Sequence, residues 1–190
     1  NRMEDEKMSL DEAKKEVEAM RLVQGSEHCV RLLDAFLDQS LYYVVMEKCA
    51  EDLTDHFDKN VFEKRHADES YLAHLFRSML QGIAYVHEKN IVHCDIKPDN
   101  FMLGGPCGDT VKLLDFGIAL RMDKKGYLTC HRGSAPYMSP EVCRCSPFDF
   151  KTDVWSMGVT AYVLLYRSFP YVPACISSPA MKQQILLGKP

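Results

Sequence analysis

The stretch His93-Cys94-Asp95-Ile96-Lys97-Pro98-Asp99-Asn100, with Asp115-Phe116-Gly117 beginning fifteen residues after Asn100, brings two acids, an amide and a lysine to a spacing that suits phosphoryl transfer. A carboxylate at Asp95 can accept the proton of an attacking hydroxyl, and the Lys97 ammonium can hold a migrating phosphate. Asn100 and Asp115 offer the oxygen donors that Mg²⁺ prefers, and such an ion neutralises charge developing on the phosphate. Each piece alone is a common turn sequence. Together, in this order, they carry far more weight.

A third element follows at Gly133-Ser134-Ala135-Pro136-Tyr137-Met138-Ser139-Pro140-Glu141, and a fourth at Asp153-Val154-Trp155-Ser156-Met157-Gly158. With these in place the chain resembles the catalytic domain of eukaryotic protein kinases over essentially its whole length, with Ser139 where that family usually has alanine. Lys97 together with Gly133-Ser134 resembles the serine/threonine kinases. The detail around Asn100-Phe101-Met102-Leu103 and Gly117-Ile118-Ala119 is most similar to the calcium/calmodulin-dependent and calcium-dependent group. No EF-hand loop occurs, so any calcium control is expected outside these residues.

The resemblance implies ATP and Mg²⁺ as cofactors, Asp95 and Lys97 as catalytic residues, and Asn100 and Asp115 as metal ligands. It makes Met46 the gatekeeper and Glu47-Lys48-Cys49 the hinge between lobes, so Glu47, Cys49 and Asp52 line the nucleotide side. Asp52 and Asp99 stand where related kinases contact a basic substrate residue, although as residue types they are equally consistent with inert surface carboxylates. Glu16 aligns with a helix glutamate that pairs a lysine from an upstream strand; a solvated helix face is the plain alternative. His93 is implied to prop the catalytic loop, Phe116 and Gly117 to complete the magnesium loop, Glu141 to close the activation segment, and Asp153 to bond backbone amides of the catalytic loop. An ordinary helix cap is compatible with that last role. Cys94 replaces an arginine that in many regulated kinases binds a phosphate, which would here sit on Thr129 or Ser134. A neutral thiol there leads to two expectations: little dependence on segment phosphorylation, and oxidation sensitivity if Cys94 is exposed and activated.

Composition agrees with an ordinary globular protein: 190 residues, 46% hydrophobic and 26% charged. A net charge of -4 without a Lys/Arg block argues against nucleic-acid or anionic-membrane partners. No run of about 18 apolar residues is present, and the charged opening Asn1-Arg2-Met3-Glu4-Asp5-Glu6-Lys7 is unlike a secretory core. The eight cysteines include no Cys-x-x-Cys pair. Reduced thiols in a cytoplasmic or nuclear compartment are therefore expected, and zinc is not.

The elements that must position these residues follow from periodicity. Leu10 to Gln24 reads as an amphipathic helix, with Ala13, Val17, Met20 and Val23 on one face behind a Ser9-Leu10-Asp11-Glu12 capping box. Val30–Phe36 and Leu41–Met46 read as an antiparallel pair across the turn Asp38-Gln39-Ser40. Tyr71 to Lys89 predicts a long helix with Leu72, Leu75, Phe76, Met79, Leu80 and Ile83 facing a core. Phe101-Met102-Leu103 and Val111-Lys112-Leu113-Leu114 predict short strands. Asp153 to Tyr166 is apolar nearly all round, which predicts a helix buried within a lobe, and Pro179 to Leu187 predicts a surface helix.

The expected fold is α+β, protein-kinase-like and two-lobed: part of a small lobe over residues 1–48 and most of a mainly helical lobe over 49–190. There is no glycine before Gly25, so the glycine-rich phosphate loop and its partner lysine are not among these residues. The chain reads as an internal fragment, nearly inactive alone, of a protein serine/threonine kinase acting on protein substrates that carry basic residues upstream of the acceptor. The regulator is unknown. A pseudokinase scaffold is the alternative.

Overall fold

In a computed structural model of the protein, the described residues are 2–39, 41–63, 68–173, 175 and 177–188. The first element, α1, runs Arg2–Leu22. It begins well before the predicted capping box, because the upstream Glu, Met and Lys residues are good helix formers and carry the helix through Ser9. Ser9 therefore lies inside the helix and does not cap it. The predicted apolar face is present: Val17, Met20 and Val23 are buried and Ala13 is half-buried.

Strands β1 (Leu32–Asp38) and β2 (Leu41–Met46) pair antiparallel, closing at Asp38 opposite Leu41. Gln39 turns the chain with φ of 52°; Ser40, the last residue of the predicted turn, lies outside the described residues. β1 starts two residues later than periodicity suggests. Val30 instead donates its N–H to the Leu113 carbonyl at 2.9 Å, which ties the small lobe to the large one.

The large lobe contains short elements that the apolar patterning does not announce. β3 (Glu51–Asp52) is a two-residue strand, α2 (Leu53–Phe57) follows it directly, and β4 (Ile91–Val92) pairs with β7 (Leu120–Arg121). The long helix α3 (Glu69–Glu88) is capped by the Asp68 carboxylate, which accepts from the Tyr71 N–H. Its buried stripe is Leu75, Ser78, Met79, Gly82, Ile83 and Val86. Leu80 departs from expectation and is 48% exposed. Gly82 takes a place on the inner face because a Cβ there would stand 2.9 Å from the His28 carbonyl.

β5 (Phe101–Gly104) and β6 (Thr110–Leu113) form the predicted hairpin, joined by β3 into a three-stranded sheet. A short helix, α4 (Pro140–Cys143), precedes α5 (Lys151–Tyr166), and α6 (Ser178–Leu187) is capped by Ser177. α5 corrects the sequence reading. Only one side is buried, while Val154 and Tyr166 are 56% and 66% exposed. The inner side is the hydroxyl-rich one: Ser156 donates to the Tyr137 carbonyl at 2.7 Å, Thr152 shares a 2.8 Å hydrogen bond with Ser139, and Thr160 reaches the Ile96 carbonyl. Periodicity of apolar residues could not see that polar groups choose the face.

One core cluster joins Met20, Val23 and Cys29 to Leu53, Met79, Phe101, Leu113 and Phe116, so it spans the 48/49 boundary. Among the described residues no helix is long and apolar enough to cross a membrane. The architecture is α+β, with a small antiparallel pair and helix on a mainly helical lobe.

Candidate active site

The loop from His93 to Lys97 leaves strand β4, and a turn of 3₁₀ helix at Pro98–Asn100 leads it into β5. Proline at the first helical position gives up an N–H that would be unpaired anyway. The loop is held from below by α5. The Asp153 carboxylate, fully buried, accepts the N–H of His93 at 2.8 Å and of Cys94 at 2.9 Å, and a third bond at 2.8 Å from the His87 ring. Cys94 sits there with φ of 68°, a left-handed conformation that a non-glycine residue keeps only when its surroundings hold it. His93 is buried with Nε2 bonded to the Leu114 carbonyl, Nδ1 taking the Asp95 N–H at 3.3 Å, and its ring edge-on to Phe116. Both ring nitrogens are engaged, so this histidine braces the loop.

Asp95 is the centre of the cluster. Lys97 Nζ donates to Oδ2 at 2.7 Å, the Ser134 N–H donates to Oδ1 at 2.9 Å, and Asn100 Nδ2 donates to the Asp95 carbonyl at 2.8 Å. Lys97 also reaches the Ser134 hydroxyl at 3.1 Å. Burial pushes the Asp95 carboxyl up, but the Lys97 ammonium and the Ser134 hydrogen bonds outweigh it and hold it below the usual carboxylate range. It is therefore ionised at neutral pH.

Asp115 also adopts a left-handed conformation, φ 57°, and accepts the Gly117 N–H at 3.1 Å. Glu16 reaches it from α1, and a Cβ on Gly117 would lie 3.7 Å from the Glu16 Oε2. Burial, and then the Asp115 charge, push the Glu16 carboxyl up. Glu16, half-buried, thus faces the Asp115–Gly117 loop. Two carboxylates converge there, and among the described residues no cation bonds either of them. Asn100 turns its amide nitrogen to Asp95, and among the described residues no hydrogen bond engages its Oδ1 or the Asp115 Oδ2. Two oxygen donors suit Mg²⁺, which retains water and phosphate ligands. Among the described residues no cluster of three or more His, Cys, Asp or Glu forms a metal cage.

The remaining predicted residues are dispersed. The Glu47 side chain turns to Lys112, 3.0 Å away and buried, and to the Arg31 N–H at 2.8 Å. Among the described residues neither the Glu47 carbonyl nor the Cys49 N–H makes a backbone hydrogen bond. Met46 is 40% exposed at the end of β2. Asp52 caps α2, accepting from Thr54 N–H at 2.7 Å, and has no bond to the Asp95 cluster. Asp99 is exposed, close enough to Tyr137 to push its phenol up after burial has done so. Thr129 is exposed, and Glu141 lines a shallow cleft with Tyr127 and Lys151.

Two expectations need correction. Ser134 is built into the Asp95–Lys97 pair and is not a free phosphate acceptor on the segment. The Cys94 thiol is largely enclosed, with Sγ directed at the Val92 carbonyl, and burial followed by the Asp153 charge pushes it far up. That is the opposite of an activated thiol. Residue patterning also missed His87 and Lys112, whose partners lie 66 and 65 residues away.

The protein kinase domain family model matches residues 1–186. Smooth-muscle myosin light chain kinase of Gallus gallus is 32% identical over 143 residues, covering 75% of this chain and 7% of that protein. A striated muscle preferentially expressed protein kinase of Danio rerio is 32% identical over 84% of this chain and 5% of its own length. Myosin light chain kinase 3 of Mus musculus is 33% identical over 75% of this chain and 18% of its own. The chain thus spans less than a fifth of these relatives, which support the likeness to the calcium/calmodulin-dependent group. With its loops braced in this geometry and the match running over nearly every residue, the chain belongs to the protein kinase domain family.

Proposed function

We propose that the protein containing this chain transfers the γ-phosphoryl group of ATP to serine or threonine hydroxyls of protein substrates. The observation that carries this reading is the Asp95 network, in which one carboxylate is clamped by Lys97, by the Ser134 N–H and, through its backbone, by Asn100. A carboxylate held at both oxygens keeps a fixed direction, which is what orienting an attacking hydroxyl needs. Being ionised, Asp95 accepts that hydroxyl's hydrogen bond and takes its proton as the oxygen becomes acidic. Lys97, 2.7 Å from Asp95, stabilises the phosphoryl oxygens arriving beside the same hydroxyl. Asn100 Oδ1 and Asp115 would hold Mg²⁺, which when bound neutralises phosphate charge. Glu47 through its carbonyl and Cys49 through its N–H would hold the adenine edge. Exposed Asp99 offers a carboxylate for a basic residue on the substrate.

The test is peptide phosphorylation by the full-length protein. Asp95→Asn is expected to lower kcat by about 10² or more while nucleotide affinity stays within about twofold, because the residue acts on the hydroxyl and not on ATP. Equal loss of both, or full retained turnover, overturns the assignment.

A further inference from the structure

The half of α1 that follows Ala13 carries two distinct faces. Val17, Met20 and Val23 enter the core, whereas Lys15, Glu18, Ala19 and Leu22 recur at helical spacing on the neighbouring side. These four line a groove of about 260 Å³ between α1 and the β4–β7 pair, with Ile91, Ala119 and Leu120 as its apolar floor. Ala19 and Ala119 keep it open, since longer side chains at those positions would reach into it. None of Asp95, Lys97, Asn100 and Asp115 lines it, so it is separate from the candidate active site. Leu22 is left 39% exposed, and covering it with a partner's side chain removes apolar surface from water.

The charges around the groove define what fits it. Lys15, Glu18 and Arg121 line it and are exposed. Lys15 and Glu18 stand three residues apart on one helix, where they could pair with each other, yet neither they nor Arg121 makes an ion pair among the described residues. With two cations against one carboxylate the rim is positive, so the complementary flanks of an occupant are acidic. The volume favours anchor side chains over a free small molecule. Small-molecule sites run about 300–1,000 Å³ and enclose most of their ligand. A helix laid in a groove seats only its apolar stripe and leaves its flanks to the rim charges. An extended anionic surface is disfavoured by the chain's net charge of -4, which opposes it along a whole face, whereas a short segment meets only the local cations.

We propose that the groove between α1 and the β4–β7 pair docks an acidic amphipathic helix of a partner protein. Leucine or aromatic anchors of that helix pack against Ala19, Leu22 and Leu120, and its carboxylates pair with Lys15 and Arg121. A helix seated there touches both the element that carries Glu16 and the strand that follows the Asp115–Gly117 loop. The inference does not rest on the phosphoryl-transfer reading, since binding is measured without nucleotide or turnover.

The probe is a fluorescein-labelled peptide of about 12 residues, an ordinary helix length, with leucines at helical spacing and glutamates on both flanks. It is titrated with the full-length protein and read by fluorescence anisotropy. Saturable binding with a Kd below about 100 μM is expected. Lys15→Glu and Arg121→Glu should each weaken it about tenfold or more, and Glu18→Lys, which removes the repelling carboxylate, should tighten it. A peptide with lysines in place of the glutamates should bind the Arg121→Glu protein better than the unmodified one, a gain that an unfolded variant could not give. Lys14→Glu makes the same charge change on a residue that does not line the groove, and should leave affinity within about twofold. No saturation by about 1 mM, equal affinity for the acidic and basic peptides, or equal losses from Lys14→Glu and Lys15→Glu overturns the proposal. So does a protein that ignores the peptide but sediments with phosphatidylserine vesicles through Lys15 and Arg121, which would make this surface a membrane contact.

Discussion

Asp153→Asn tests how the catalytic loop is held, and its cost can be worked from the contacts. The wild-type carboxylate is 0% exposed and accepts three bonds of 2.8 to 2.9 Å, two on Oδ2 and one on Oδ1. Asparagine keeps one oxygen, which serves best where two donors meet, at His87 and His93. Its amide group then faces the Cys94 N–H, donor against donor. One charge-assisted bond is lost, worth about 1.5–3 kcal/mol, and a buried N–H is left unsatisfied for a further ~1–3 kcal/mol. The expected destabilisation is about 3–5 kcal/mol, a large share of the 5–15 kcal/mol typical of a domain. The damage falls on Cys94, whose left-handed backbone relaxes once its anchor is gone and swings the adjacent Asp95. Urea unfolding of the full-length protein gives the first number and peptide phosphorylation the second, with kcat falling together with stability. Adding Cys94→Gly should recover part of both, because glycine adopts φ near 68° without strain. A loss below about 1 kcal/mol with normal kcat would refute the argument.

Ser134→Ala should lower kcat about tenfold, since Lys97 loses the hydroxyl that helps to aim it, whereas Ser134→Thr keeps most activity and Thr129→Ala, at an exposed site, changes it little; steady-state kinetics on the three variants separates them. Gly133→Ala should cost ~3 kcal/mol or more in urea unfolding, because φ is 111° and the new Cβ would stand 2.5 Å from the Cys94 carbonyl. Glu16→Gln should stabilise the metal-free protein at pH 7 and leave it unchanged well below pH 4.5. The Glu16 carboxyl is raised in the folded state, so the folded protein binds the extra proton and wild-type stability falls as pH climbs from 4.5 through the raised value. Melting curves across that range would show a glutamine variant lacking the decline, and parallel curves would count against it.

The clustering of Asp95, Lys97 and Asn100 was legible because these residues are close in sequence. Asp95, Lys97 and Asn100 lie within six positions, and a loop that short, entering a strand, brings their side chains together. The supporting contacts were legible only in part. Asp153 could be placed by resemblance, but His87, which shares the same carboxylate oxygen, is 66 residues distant and on another helix. Ser134 was, with Thr129, a candidate position for the phosphate that the arginine replaced by Cys94 would bind. Its N–H and hydroxyl are instead spent on Asp95 and Lys97, 39 and 37 residues upstream.

Helix α5 shows why apolar patterning fails where a helix serves a site. Burial of hydrocarbon rewards a face without regard to direction, so a sequence apolar on all sides names no inner face. Thr152, Asp153, Ser156 and Thr160 supply what hydrocarbon cannot, because loop amides and carbonyls beneath them would otherwise be buried without partners at a cost of ~1–3 kcal/mol each. The face with the most unmet polar demand wins. Val154 and Tyr166 are left outside, and their exposure is the consequence of anchoring a catalytic loop from the helix interior.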